Sequence, residues 1–340
     1  MRTLARQLPE QLRAGFRSGR ELDAKIPSTL VHAAVIGMGG SAIAGDLVGT
    51  VTSPETELRV DVVRSPALPR YLGAGTLALV ASYSGNTWET LAAYDEAGRR
   101  GAPRVVLTSG GKLAERAARD GVPCLLVPAG NPPRASVGFM LGGLLGLLDP
   151  IFPESNEERV AHGIEMLESR ITAFGSARGP PAKWAETVGN RRPAVYSETG
   201  FLGLARRWKT QVEENAKRGA EYDAIPELFH NAIVAWDAAN SSEGRSRAVV
   251  LLEWSESDRE TRARYAYLAR LLSARHVPVV RVPLAATDRL MALFLGLSSG
   301  DFFSLALADR ARVDPYPVDA ITRMKTTLEA RARGAGRRAN

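Results

Sequence analysis

Three hydroxyl groups lie within six residues at a point where an apolar strand gives way to a helix. Residues 76–80 form an apolar run typical of a buried strand, and residues 88–94 begin a helical pattern. Ser82, Ser84 and Thr87 lie in the turn between them. Because a helix start presents unpaired N–H groups with a partial positive charge, this strand–turn–helix unit is suited to a phosphate monoester. Taken alone, it also fits an ordinary helix capped by Ser or Thr.

A second glycine- and hydroxyl-rich turn lies upstream. It follows the apolar run 32–37 and includes Gly40 and Ser41, after which another helical pattern begins. An open α/β sheet binds its ligand at the carboxyl ends of neighbouring strands. The two turns together therefore favour a phosphate site over a plain cap.

The chain divides into two halves that repeat one pattern of strands and helices, which indicates duplication of an α/β unit. Strand candidates in the first half lie near residues 32–37, 58–63, 76–81, 103–107 and 122–127. Those in the second half lie near residues 193–197, 231–236, 247–253 and 277–282. Because 340 residues exceed what one core usually supports, we predict two parallel-sheet domains over residues 1–153 and 154–340.

Cysteine and histidine are scarce. Cys124 is the single cysteine, so neither an intramolecular disulfide nor a cysteine-based zinc site can form. The four histidines are scattered along the chain without the close spacing of a metal motif. We therefore expect no structural metal. We also expect an enzyme that works without an organic cofactor.

The net charge of +7 comes mostly from arginine, and the basic residues are dispersed except for a cluster at residues 331–338. We expect that cluster to be a solvated chain end and not a nucleic-acid grip, and the positive field favours an anionic small substrate over a cationic one. No uninterrupted apolar stretch approaches the roughly 20 residues needed to span a bilayer, and residues 1–7 lack a secretory core. We expect a cytoplasmic enzyme that binds neither membranes nor nucleic acid.

The first turn also allows a different interpretation. Gly37, Gly39 and Ala42 satisfy the dinucleotide fingerprint G-x-G-x-x-A, and Asp61 occurs where an acid that binds ribose would be expected. Three small residues are a weak signal in a chain rich in alanine and glycine. A nicotinamide-dependent dehydrogenase would also give no role to the serine-rich second turn.

Several segments together resemble a known family. Residues 37–43 and 82–87 are similar to the sugar isomerase (SIS) domain, whose hydroxyl-rich loop holds the phosphate of a phosphosugar. Further similar segments are 131–135, 206–217, 226–236 and 313–318, followed by Lys325. The set resembles the bifunctional phosphoglucose/phosphomannose isomerase family over residues 30–330. The resemblance implies two SIS-type, flavodoxin-like, doubly wound parallel-sheet domains. It places the substrate phosphate at Gly40, Ser41, Ser82, Ser84 and Thr87.

Isomerisation of an aldose to a ketose requires a carboxylate that moves a proton between C2 and C1, and a cation that stabilises the enediolate. Glu214 is the candidate base, because the family motif Glu-Asn-Ala-Lys selects it over Glu213. Adjacent helical residues point about 100° apart, so only one of the pair can face a substrate. Most Glu-Glu pairs lie on solvated helix faces. The resemblance assigns stabilisation of the enediolate to Arg134. Without the resemblance, the alternative interpretation of Arg134 is an ordinary surface arginine.

Ring opening requires proton exchange near neutral pH, which suits an imidazole. His230 is the candidate, and a histidine at a strand start bonded to backbone is the alternative. The resemblance implies that the neighbouring subunit contributes this histidine, so that a homodimer has composite sites. It also implies that Lys325 approaches the ring oxygen, although a helix-surface lysine would look the same.

One position departs from the family pattern, which has Asp-Pro-Thr-Pro where this chain has Tyr316 in place of the threonine. A phenol beside C2 and C3 would reduce the space needed to accept both glucose 6-phosphate and mannose 6-phosphate.

A sensor that binds sugar phosphates without catalysis is the alternative class of function. The presence of a base, a histidine and a lysine in one chain favours an isomerase that forms fructose 6-phosphate through a cis-enediol.

Overall fold

A computed structural model describes residues 1–239 and 241–336 of the protein. The first half contains a parallel five-stranded sheet in the order β2-β1-β3-β4-β5. Its strands are β1 (His32–Gly37), β2 (Arg59–Val63), β3 (Leu77–Ser82), β4 (Arg104–Thr108) and β5 (Cys124–Leu126). All five predicted strands of this half are confirmed to within two residues at each end.

The second half contains a parallel four-stranded sheet in the order β7-β6-β8-β9. Its strands are β6 (Arg192–Glu198), β7 (Glu221–Ile225), β8 (Arg247–Trp254) and β9 (Val279–Leu284). In both sheets the second strand lies outside the first and the third and fourth follow on the other side. This shared order supports the predicted duplication, and the α/β class with two parallel sheets is confirmed.

Helices cover both sheets. Those of the first half are α1 (Arg2–Arg6), α2 (Leu8–Glu21), α3 (Gly39–Glu55), α4 (Trp88–Arg99), α5 (Gly111–Asp120) and α6 (Val137–Leu147). Those of the second half are α7 (Glu157–Phe174), α8 (Pro180–Val188), α9 (Leu202–Ala216), α10 (Ala232–Asp237), α11 (Ser241–Ser246), α12 (Arg259–Ala274), α13 (Arg289–Ala311) and α14 (Asp319–Gly336). Short 3₁₀ turns occupy Pro133–Ala135, Asp149–Ile151, Thr199–Phe201 and Glu227–His230.

Helix α13 lies at the centre of the second half. It is long and apolar enough to cross a membrane by composition alone, but 94% of its most apolar stretch is buried inside the protein. It packs against α7, α8 and α9, and also contacts α3 of the first half. Its composition is therefore that of a core helix, and one continuous apolar cluster joins the two halves.

Helix α2 packs closely on α6. Leu4, Leu8, Leu12 and Phe16 recur at four-residue intervals, which predicts an amphipathic helix packed on the first half. Leu8, Leu12 and Phe16 are buried, and Leu4 is half-buried. Glycines on both helices allow the backbones to touch: a Cβ at Gly142 would lie 2.5 Å from the carbonyl oxygen of Leu12. The N-terminal segment is therefore an integral part of the first half.

One predicted strand is wrong. Residues 231–236 begin helix α10, whose first N–H group is capped by the side chain of Asn231, and Trp236 on this helix is buried. The strand at this edge of the sheet is instead β7 (Glu221–Ile225), which pairs with β6. A short apolar run fits a strand and a buried helical turn equally well, and the polar β7 has no such run.

Candidate active site

The two predicted loops lie side by side at the carboxyl edge of the first sheet. Strands β1 and β3 are neighbours, with Gly37 opposite Ala81 at their ends. The Ser41 hydroxyl, which is buried, accepts a hydrogen bond of 3.0 Å from the backbone N–H of Tyr83. The loop that follows β1 is therefore tied to the loop that follows β3.

The hydroxyl groups of the second loop differ in exposure. Ser82 is buried and donates to the Thr87 hydroxyl at 3.2 Å, while Ser84 is exposed. Thr87 is the N-cap residue of α4 and is half-buried. Ser84, Thr87 and the first N–H groups of α4 are thus available to an anion, and Ser82 orients Thr87.

The neighbouring loop after β4 holds this second loop in shape. Gly85 has φ +64°, and a Cβ there would overlap the carbonyl oxygen of Gly110. The N–H of Leu113 donates to the Gly85 carbonyl at 3.0 Å, and the Asn86 side chain accepts at 3.2 Å from the N–H of Lys112. The loop is therefore fixed before any ligand binds.

Arg134 lies next to the first loop. It belongs to the 3₁₀ turn Pro133–Ala135, and a Cβ at Gly40 would lie 3.3 Å from the Pro133 carbonyl oxygen. Only 3% of the arginine side chain is exposed, which contradicts the surface alternative. The turn therefore places a buried cation beside the predicted phosphate loops.

Most of the Arg134 guanidinium is already engaged. Its Nε donates to Asn215 at 2.9 Å, and its Nη2 donates to the carbonyl oxygens of Pro315 at 2.5 Å and Tyr316 at 2.9 Å. Its Nη1 lies 3.5 Å from Oε2 of Glu214. Nη1 is thus the nitrogen that points toward the predicted base.

Glu214 and Glu213 point in different directions at the end of α9, as predicted. Glu213 forms an ion pair with Lys209 at 2.7 Å, one turn earlier on the same helix. The Glu214 side chain is 28% exposed and turns toward Arg134. Of the two glutamates, Glu214 is the one that contacts the Arg134 guanidinium.

Burial raises the pKa of Glu214 above its ordinary value. The positive charges of Arg134, Arg207 and Lys217 oppose that shift, and Glu213 adds to it. A carboxylate with a raised pKa beside a fixed guanidinium matches the requirements for a general base and an enediolate stabiliser.

Buried polar residues hold Arg134 and the end of α9 in place through hydrogen bonds. The sequence interpretation missed these residues. Arg207 donates to the carbonyl oxygen of Arg134 at 3.1 Å and to Asp301 at 2.8 Å. Asn215, which holds Arg134, donates in turn to the Ser304 hydroxyl at 3.0 Å. Burial raises the pKa of Asp301. These contacts join helices far apart in sequence, so local patterns give no sign of them.

Lys217 was also missed, although it ends the Glu-Asn-Ala-Lys motif. Its Nζ donates to the carbonyl oxygen of Glu214 and to that of Pro317, both at 2.6 Å. The motif thus contains the candidate base and two residues, Asn215 and Lys217, that connect the base helix to its surroundings.

The structure does not bring His230 and Lys325 into this group. His230 is exposed in the 3₁₀ turn Glu227–His230 after β7, and not at a strand start. Lys325 is exposed on α14. Within the described parts of the chain, neither side chain forms a hydrogen bond or an ion pair with the other candidate residues.

Tyr316 contacts the site through its backbone. Its carbonyl oxygen accepts from Arg134, while its phenol hydroxyl accepts from the Met1 amino group at 2.6 Å. The phenol, half of which is exposed, is therefore held by the start of α1.

Asp61 does not occupy the position that a dinucleotide would require. It pairs with Ala34 in the middle of β2, and its carboxylate contacts His32 and Arg59, each at 3.0 Å. A ribose-binding acid lies at the carboxyl end of its strand. The structure therefore gives no support to the dehydrogenase interpretation.

Among the described residues, no group of three His, Cys, Asp or Glu side chains could hold a metal.

Comparisons with known proteins agree with the fold. Residues 178–328 match the family described as bacterial phospho-glucose isomerase C-terminal SIS domain. The chain is also similar in structure to tagatose-6-phosphate ketose/aldose isomerase from Escherichia coli, with a TM-score of 0.64 and 18% identity over 93% of this chain and 96% of that one. At that identity the likeness shows the fold alone.

Two relatives establish the family. The chain is 32% identical to a bifunctional phosphoglucose/phosphomannose isomerase from Caldicellulosiruptor bescii over 94% of this chain and 96% of that protein. It is also 32% identical to a protein of the same name from Aquifex aeolicus, over 87% of this chain and 90% of that protein. The chain therefore belongs to the bifunctional phosphoglucose/phosphomannose isomerase family.

Proposed function

We propose that the chain is an aldose–ketose isomerase that interconverts glucose 6-phosphate and mannose 6-phosphate with fructose 6-phosphate. Membership of the family supports this activity. The observation on which it mainly rests is the position of Glu214 beside Arg134, whose turn contacts the first phosphate loop at Gly40. The protein thus offers an anion site for the phosphate end of a hexose phosphate, and a base and a cation for its carbonyl end.

Substrate binding begins at the phosphate. The hydroxyls of Ser84 and Thr87 and the start of α4 bind its oxygens, and Gly40 and Ser41 complete the site from the neighbouring loop. The loops are held by the rest of the protein, so binding needs little rearrangement of the backbone. The sugar then extends toward Glu214.

Glu214 transfers the proton. Its carboxylate removes the proton from C2 of the open-chain aldose, the electrons of that C–H bond form the C1–C2 double bond, and negative charge develops on O1. Nη1 of Arg134, which lies 3.5 Å from Glu214, stabilises this charge in the cis-enediolate, the ionised form of the cis-enediol. Protonated Glu214 then delivers its proton to C1 while the proton of the C2 hydroxyl passes to O1. O2 becomes the ketone oxygen and O1 a hydroxyl, so no net hydrogen is gained or lost.

We assign ring opening to His230 and Lys325, whose side chains form no hydrogen bond or ion pair with the other candidates within the described parts of the chain. We place His230 in the site of the partner subunit of a homodimer. Exposed apolar side chains next to it support an interface. Val234, four residues further along the chain, is 70% exposed, and Tyr267, whose ring lies 6.2 Å from that of Phe229, is 51% exposed. Exposed apolar groups close to a functional residue are typical of a surface that another protein covers.

The purified chain, treated with a chelator, should be incubated with fructose 6-phosphate. Glucose 6-phosphate and mannose 6-phosphate should be quantified separately. Formation of both products is the expected result, and it would also show that Tyr316 leaves room for both epimers at C2. Binding of fructose 6-phosphate with no product would instead identify the sensor class and overturn the proposal.

A further inference from the structure

Three consecutive carbonyl oxygens in the segment 314–318 accept hydrogen bonds from two cations. Arg134 donates to those of Pro315 and Tyr316, and Lys217 donates to that of Pro317. Both cations lie next to Glu214, Arg134 through its Nη1 and Lys217 through the Glu214 carbonyl. The segment is therefore attached to the base and to its cation at the same time.

The segment has few backbone donors with which to hold itself in place. Pro315 and Pro317 have no N–H group, and the N–H of Tyr316 is used by the Asp314 side chain at 2.9 Å. The chain runs through this segment from the end of α13 into α14, whose side chains from residue 319 to 327 are all exposed. Besides the contact of the Tyr316 phenol with the Met1 amino group, the bonds from Arg134 and Lys217 are therefore its main attachments.

The position and backbone conformation of Lys217 allow this contact. It is the C-cap of α9 and has φ +53°, in the left-handed region, which turns the chain sharply after the base helix. Its Nζ reaches back to the Glu214 carbonyl in the last turn of that helix and across to Pro317. A cation at the carboxyl end of a helix is also favoured by the helix dipole.

We propose that Lys217 is a positioning residue, which holds the segment 314–318 against the end of α9 and so keeps Arg134 aimed at Glu214. The inference rests on the isomerase function proposed above. Without Lys217, Arg134 is the remaining cation on these carbonyls. A shift of the segment then moves Nη2 and turns Nη1 away from the developing charge. Displacements of about 1 Å at a reacting centre cost on the order of 100-fold in rate.

Lys217→Met tests this role, because it removes the ammonium group but retains most of the alkyl chain. The turnover number should fall on the order of tenfold, while KM for fructose 6-phosphate should change by less than about twofold, since the phosphate loops are untouched. Hydrogen exchange of peptides containing Tyr316 and Val318 should become faster. Lys217→Arg should restore most of both properties. Lys209→Met, on the same helix, should alter neither.

The outcomes separate this inference from the proposed function. If Lys217→Met exchanges and turns over like the unaltered protein, the positioning role is overturned. Slower turnover with unchanged exchange, and with no rescue by arginine, also overturns it, because it indicates direct contact between Lys217 and substrate. An unaltered protein that makes no isomerase product refutes the function, whereas the exchange comparison still tests the attachment of the segment.

Discussion

Nη1 of Arg134 and Oε2 of Glu214 lie 3.5 Å apart, although the two residues belong to different halves of the chain. Arg134 follows the first sheet, and Glu214 lies in the last turn of α9, the helix that follows the first strand of the second sheet. The pair therefore forms only when both halves are folded and packed. Any loss of packing between the two halves would therefore separate the candidate base from its cation.

Glu214→Gln should abolish most turnover and leave binding intact. The amide cannot accept the C2 proton, but its size and its place beside Arg134 are preserved. We expect the turnover number to fall on the order of 1,000-fold, with the dissociation constant for fructose 6-phosphate within about threefold of the original value. Steady-state kinetics and calorimetry would measure both. Glu213→Gln is the matched control and should stay near full activity; the reverse pattern would assign the base to Glu213.

Acid should inactivate the enzyme at a higher pH than an unperturbed glutamate would produce. The base must be ionised, and burial raises the pKa of Glu214. The value of kcat/KM should therefore decline as pH drops through that raised pKa, above the ordinary value of about 4.3. Because Arg134 lowers this pKa, Arg134→Met should move the decline to still higher pH. A decline that stays in place or moves to lower pH would contradict the proposed electrostatics.

Ser84→Ala should weaken binding far more than turnover. Its hydroxyl is exposed beside the start of α4, away from the pair formed by Arg134 and Glu214. Loss of one hydrogen bond to a dianion corresponds to about a tenfold or greater rise in KM. Inorganic phosphate should also inhibit the variant less. Ser169→Ala, on the exposed surface of α7, is the control, and an unchanged KM in Ser84→Ala would remove this hydroxyl from the phosphate site.

Apolar strand runs predicted the fold well, because buried parallel strands are apolar on both faces. They missed β7, an edge strand with the sequence Glu-Tyr-Asp-Ala-Ile, because such a strand needs less apolar surface. The segment 231–236 was assigned to a strand because its apolar run is too short to reveal a helical period. Within the site, Glu214 and Arg134 were identified through motifs. Attachments such as Lys217 to Pro317 depend on distant parts of the chain and leave no local pattern.

The close contact between α2 and α6 should make Gly146 intolerant of substitution. A Cβ at this position would overlap the carbonyl oxygen of Phe16, which is backbone and cannot move aside by rotating. We expect Gly146→Ala to lower the free energy of unfolding by about 3 kcal/mol, measured by urea denaturation. Gly49→Ala in α3 meets no atom within 4 Å and should be neutral or raise stability by up to about 1 kcal/mol. Equal effects at both sites would contradict the packing.

Mixed dimers should test the composite site. Glu214→Gln and His230→Ala are each expected to be nearly inactive alone. If every site combines Glu214 of one subunit with His230 of the other, a mixed dimer has one site with both defects and one with neither. After unfolding and refolding of an equal mixture, about half of the dimers are mixed, so activity should return to about one quarter of the original level.

A site built from one subunit would give a different result, because each site of the mixed dimer would retain one defect and no activity would return. The same comparison with Glu214→Gln and Lys325→Met asks which subunit supplies the lysine. Recovery to about one quarter would assign Lys325 to the partner as well. No recovery, together with low activity of Lys325→Met alone, would place α14 over the site of its own chain, the site next to which this helix begins at Asp319.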